Sequence, residues 1–261
     1  MIQVFRPIPV EKIKLLVFDL DGTLIDSAQD LCNSVNEALK EFKHEPLPDP
    51  AIASFVGNGA PMLMRRSLAL ASNMPPEEVD EELFNKAYAF FLQYYREHKL
   101  DFTYAYEGVL EALKALAELH DQAASPARAM AVLTNKPVRA SREICAALGL
   151  DRFFFQIYGG NSFHTKKPDP VGLLKLMEEA SALLGGGVAG VLAEATVMVG
   201  DSDVDVLTAR NCGAHSIGCS FGLAPERLAA AGAELVVSSP REWPKALREL
   251  AAGELPSLYP M

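Results

Sequence analysis

The sequence predicts an α/β protein: a parallel sheet with helices on both faces, interrupted after its first strand by an all-helical segment. Short apolar runs recur along the chain with helix-length segments between most of them, the pattern of strands buried on both faces. Polar residues stand directly at the ends of several runs, where open α/β sheets place their sites. Between the first and second runs, only helical patterns occur.

The first strand is expected at Ile13–Phe18, ending directly in Asp19. Comparable runs lie at Ala129–Leu133, Phe153–Tyr158, Thr196–Val199, Ala214–Cys219 and Glu234–Val237. Helices are expected at Leu110–Leu119, at Val138–Leu148 after Pro137, and at Val171–Leu184 after Pro170. In residues 28–103 the spacing predicts helices at Ala28–Leu39 and Pro61–Leu70. A third carries Val79, Leu83, Ala87, Phe90 and Tyr94 as an apolar stripe, after a Pro75–Pro76 start and a Glu77–Glu78 first turn. This segment reads either as a separate cap or as the first helices of one larger domain. Two longer connections, His120–Arg128 and Leu184–Ala195, fall before strands, opposite the expected site.

The 261 residues are 49% hydrophobic and 22% charged, with a net charge of −10. That describes an ordinary globular chain without the broad basic surface of a nucleic-acid binder. An anionic small molecule remains compatible, given local cations and a metal. Cys32, Cys145, Cys212 and Cys219 lack metal-ligand spacing and read as reduced apolar side chains. The N-terminus has no signal-peptide pattern, and no apolar run reaches the roughly 20 residues of a spanning helix. No membrane partner is expected, and the expected location is cytoplasmic.

The chemistry concentrates at strand ends. Asp19 and Asp21 are two apart in Asp19-Leu20-Asp21-Gly22-Thr23, so extended geometry directs both carboxylates into one crevice. Gly22 allows a sharp turn beside a ligand. Other strand ends supply Thr134-Asn135-Lys136-Pro137 and Gly200-Asp201-Ser202-Asp203-Val204-Asp205, while Lys166-Lys167-Pro168 precedes a helix. Gathered carboxylates oppose one another unless cations join them. A hard divalent ion such as Mg2+ suits such oxygen ligands, and lysine, hydroxyl and amide groups suit phosphate.

In their order and composition these four motifs resemble those of the haloacid dehalogenase-like hydrolases, and the similarity extends over nearly the whole chain. The resemblance implies a Rossmann-like core, residues 1–27 and 104–261, with a helical cap at 28–103. It implies that Asp19 is a nucleophile and Asp21 an acid/base. Mg2+ would be held by Asp19, the Asp21 main-chain carbonyl and Asp201. Thr134 and Asn135 would bind phosphate, Lys167 would neutralise charge, and Gly22, Thr23 and Asp205 would support the site. The expected partner is a small phosphate monoester, with no nucleic acid, and the protein a monomer or homodimer. Asp21 separates the chain from carbon-attacking relatives, which need no acid there.

Cap residues are open to two readings. Gly57-Asn58-Gly59 forms either a loop facing the site or a plain turn. Arg65 either meets a substrate carboxylate or belongs to an exposed cationic helix face, and Asp26 organises the linker or caps the next helix. Transfer of phosphate to a sugar hydroxyl, or binding without turnover, are the rival functions.

Overall fold

The computed structural model describes residues 2–118, 128–185 and 191–248. Its strands are β1 (Gln3–Val4), β2 (Leu15–Phe18), β3 (Ile25–Asp26), β4 (Tyr104–Ala105), β5 (Ala129–Leu133), β6 (Gln156–Tyr158), β7 (Thr196–Gly200), β8 (His215–Cys219) and β9 (Leu235–Val237). Seven form one sheet in the order β1-β9-β8-β7-β2-β5-β6, parallel except for the edge strand β1. β2 is central, with β5 on one side and β7 on the other. Its four residues Leu-Leu-Val-Phe are all buried, as a strand covered on both faces requires.

Helices α5 (Val109–Glu118), α6 (Val138–Ala147), α7 (Val171–Leu183) and α8 (Asp203–Arg210) follow or separate these strands, with short α9 (Leu228–Ala231) and α10 (Trp243–Ala246) near the end. One cluster around Leu16, Phe18, Val132, Val199 and Trp243 fills one face of the sheet. A second around Leu15, Val17, Leu173, Leu176 and Met198 fills the other. The alternation of β2 between the two clusters follows from its period of two. All four cysteines are free. Among the described residues, no helix is long and apolar enough to cross a membrane.

Four helices lie between β3 and β4: α1 (Ala28–Glu41), α2 (Asp49–Ala53), α3 (Ala60–Ala71) and α4 (Glu81–His98). They surround a cluster of their own, including Leu31, Val35, Leu39, Leu63, Leu68, Phe84 and Phe91. The α4 boundary differs from the expectation. Pro76–Glu78 forms a separate 3-10 turn, Val79 is extended, and the helix restarts at Glu81. Asp80 caps it by accepting the Leu83 N–H, satisfying one free donor of the first turn. The buried line is Phe84, Ala87, Phe91 and Tyr95, one residue around from the expected stripe for all but Ala87.

Other expectations differ at their ends. The third run begins with a 3-10 turn at Asp151–Phe153, leaving Gln156–Tyr158 as strand. Residues 119–127 and 186–190, within the two long connections, lie outside the described residues. The end of the expected Leu110–Leu119 helix falls there too.

The linkers into and out of the helical segment pair as an antiparallel ribbon, Ile25 opposite Ala105 and Asp26 opposite Tyr104. Asp26 accepts the Ala28 N–H at the start of α1 and the Tyr104 hydroxyl, so it organises the linker. One turn along, buried Asp30 accepts the N–H groups of Phe102 and Thr103 and the Thr103 hydroxyl. Asp30→Ala strips these donors of their acceptor inside the protein. We expect a loss of about 3 kcal/mol in unfolding free energy, read by urea denaturation.

Candidate active site

The parallel registers bring three strand ends level. Phe18 of β2 is opposite Val132 of β5 and Val199 of β7. Asp19, Thr134 and Asp201 therefore emerge close to one edge of the sheet, on either side of the central strand. This is a crevice at the carboxyl ends of parallel strands.

Asp19 donates its N–H to the Val199 carbonyl, which holds its backbone against β7. Lys167 Nζ lies 2.8 Å from Asp19 Oδ1 and 2.6 Å from Asp205 Oδ1. Lys167 is thereby shared between the two carboxylates. Asp205 uses both oxygens. Its Oδ2 accepts the Ser202 N–H and hydroxyl, closing a capping box at the start of α8. Asp205 thereby anchors Lys167 and the β7–α8 turn together.

Asp201 Oδ2 accepts the N–H groups of Leu223 and Ala224. Gly22, at φ +80°, packs against the same carboxylate: a Cβ there would come within 2.1 Å of Asp201 Oδ2. Any larger residue would both strain the turn and displace the carboxylate. Thr23 is buried beside it, and its hydroxyl takes no hydrogen bond among the described residues.

Asp21 points to a different partner. Lys136 Nζ donates to Asp21 Oδ1 and Oδ2 at 2.9 and 3.1 Å, and the Ser27 hydroxyl also donates to Oδ1. The sequence reading passed over Lys136 and Ser27. Lys136 stands in the turn after β5, where a lysine normally reads as exposed, yet here it is only 5% accessible.

Thr134 Oγ1 accepts the Lys136 N–H, which leaves its own hydrogen free for a ligand. Asn135 Nδ2 donates to the carbonyls of Gly57 and Lys167, while its Oδ1 has no partner among the described residues. Through its side chain Asn135 thus ties the α2–α3 loop to the Lys167 segment.

The same loop is held from both sides. Lys166 Nζ donates to the Asn58 carbonyl, and Arg66 donates to the Asn58 side chain. Gly59 lines the cleft with φ +87°, and a Cβ there would meet Lys166 Nζ at 3.0 Å. Arg65 turns away: its guanidinium forks onto Glu81 and lies over the Phe84 ring, 4.0 Å from the centroid. Of the three cap candidates, only Gly59 borders the cleft.

The cleft itself encloses about 500 Å³, including its open mouth. Asp19, Asp21, Thr134, Asn135 and Lys136 form its floor, and Leu31, Val56, Leu63, Phe91 and Tyr95 its apolar wall.

Burial sets the electrostatics. It pushes Asp19 up to about 6, with Asp205 and Asp21 adding to the shift and Lys167 opposing it. Burial also holds Asp201 well above the ordinary carboxylate range, reinforced by Asp205 and Asp19. Lys167 and Lys136 both lose solvation, but their carboxylate partners outweigh that loss and keep them charged.

Oxygens of Asp19, Asp201 and Asp205 lie within 4.8 Å of one another. Lys167 is shared by Asp19 and Asp205, and Asp201 has only N–H donors, so the three desolvated carboxylates together are short of positive charge. An all-oxygen donor set with this deficit fits a hard divalent cation.

The sequence profile of the haloacid dehalogenase-like hydrolases matches residues 16–219, which contain Asp19, Asp21, Thr134, Lys136, Lys167, Asp201 and Asp205. The chain belongs to this family. A phosphoglycolate phosphatase of Pseudomonas syringae pv. tomato is 39% identical over 209 residues, covering 80% of this chain and 70% of its own. A phosphoglycolate phosphatase of Neisseria meningitidis is 36% identical over 213 residues, covering 82% and 83%. The crystal structure of a predicted phosphoglycolate phosphatase from Haemophilus somnus superposes with a TM-score of 0.76 at 28% identity, covering 88% of this chain and 96% of that one.

As in any raised carboxyl, the native state of the metal-free hydrolase binds more protons than the unfolded chain between about pH 4 and 6. Stability from this group therefore falls as pH rises through that window. We expect calorimetric melting to fall from pH 5 to pH 7 in chelator. Saturating magnesium should recover about 2.7 kcal/mol at a hundredfold excess over its Kd.

Proposed function

We propose that this hydrolase is a magnesium-dependent phosphatase acting on 2-phosphoglycolate to give glycolate and phosphate. The observation that carries the reaction class is the pair Asp19 and Asp21, opening on one cleft with separate cationic partners, Lys167 and Lys136. The named relatives support the substrate.

On this reading, Asp19 attacks phosphorus and takes the phosphoryl group as an acyl phosphate. Asp21 gives a proton to the departing ester oxygen, then takes one from the water that cleaves the acyl phosphate. Ser27 fixes its orientation, and Lys136 holds it until the ester binds. Lys167 offsets charge gathering on the phosphoryl oxygens, and the free hydrogen of Thr134 Oγ1 donates to one of them. Asp19, Asp201 and the Asp21 carbonyl would hold Mg2+, which when bound supplies charge neutralisation and orients the phosphate. Residues 28–103 act as the cap that shuts the cleft from water, and their apolar wall strengthens every charge interaction inside.

Free-phosphate release from 2-phosphoglycolate, sugar phosphates, nucleotides and pyridoxal phosphate, with and without magnesium, tests the proposal. The expected result is magnesium-dependent selectivity for 2-phosphoglycolate, and preference for another ester refutes the substrate. Asp19→Asn should lower kcat by about 10⁴-fold or more with little change in melting. Near-normal turnover would reject Asp19 as nucleophile.

A further inference from the structure

Resting on the reading of 2-phosphoglycolate as substrate, we propose that Lys136 and the Tyr95 hydroxyl form the receptor for the substrate carboxylate. Lys136 exchanges Asp21 for that carboxylate when the ester binds.

The cations near the cleft sort themselves by partner. Arg65 is forked onto Glu81, Arg66 onto Asn58, Lys166 onto the Asn58 carbonyl, and Lys167 lies between Asp19 and Asp205. Among the described residues lining the cleft, Lys136 alone carries positive charge. A buried ammonium without an anion is costly, so in the absence of substrate it takes the nearest carboxylate. Its stem is flexible and its three donors rotate, so a second anion can claim it without moving the backbone.

Position selects the anion. Lys136 borders Asp21, the group that serves the ester oxygen. In 2-phosphoglycolate the carboxylate is joined to the carbon bearing that oxygen, so a bound molecule with phosphorus at Asp19 sets its carboxylate beside Lys136. A longer sugar phosphate would carry its polar groups onto the apolar wall of Leu31, Val56, Leu63 and Phe91.

Tyr95 is the second, independent observation. It is 5% exposed and lines the same cleft, and its hydroxyl stands beside the Lys136 ammonium while its own hydrogen has no acceptor among the described residues. Buried phenols normally find one. Lys136 Nζ lies 4.8 Å from the ring centroid, so the phenol and the ammonium face a common space. A carboxylate there would accept from both. Tyr95 comes from α4 and Lys136 from the turn after β5. The receptor is therefore complete only while the helical segment sits over the sheet edge.

The test compares kcat/KM for 2-phosphoglycolate with kcat/KM for ethyl phosphate, which has the same two-carbon length and no carboxylate. The ratio does not depend on the fraction of folded enzyme. Lys136→Met should lower it by about 100-fold and Tyr95→Phe by about 10-fold, the scale of a charged and a neutral hydrogen bond. Lys136→Arg should retain most of it. Equal losses on both esters, with the ratio unchanged, would overturn the receptor and leave Lys136 as a positioning residue for Asp21. Calorimetric binding of both esters to Asp19→Asn, with and without Lys136→Met, reads the same ratio if turnover is lost. A wild-type enzyme that does not distinguish the esters would instead overturn the substrate reading.

Discussion

Four carboxylates and two ammonium groups are packed at the centre of the sheet edge, and their mutual repulsion is met by a division of labour. Lys167 bridges Asp19 and Asp205, Lys136 holds Asp21, and Asp201 is left with two backbone N–H groups. The surrounding turns conform to that arrangement. Ser202 caps α8 through Asp205, and Gly22 leaves room for Asp201. Two ammonium groups do not offset four carboxylates, so the cation requirement arises from how the lysines are already spent.

The helical segment is joined to this cluster at two kinds of contact. At the cleft, main-chain carbonyls of Gly57 and Asn58 accept from Asn135 and Lys166. Both are part-buried side-chain-to-main-chain hydrogen bonds. At the linkers, a two-stranded ribbon and the Asp30 carboxylate make a firmer joint.

The strand ends and their carboxylates were legible in the sequence because each follows a buried apolar run, and a run of four such residues in β2 leaves little choice of register. The face of α4 was less so. Phe90-Phe91 and Tyr94-Tyr95 place large side chains at adjacent positions, so two stripes one residue apart are equally apolar, and contact with the neighbouring helices selects Phe91 and Tyr95. Strand β1 is two residues long and exists through pairing with β9, more than 230 positions away. Lys136 and Asp30 escaped for the same reason. Each looks like an ordinary surface charge until distant residues, Asp21 or Phe102 and Thr103, are folded against it.

The Asp30 clamp carries a mechanical corollary. Because that carboxylate ties the start of α1 to Phe102 and Thr103, the two arms of the linker cannot slide past one another or splay independently. Ribbon and clamp therefore act as one seam: the pairing that starts at Ile25 and Ala105 is carried past the last ladder pair into the first turn of α1, so the segment's entry and exit are held in a single register.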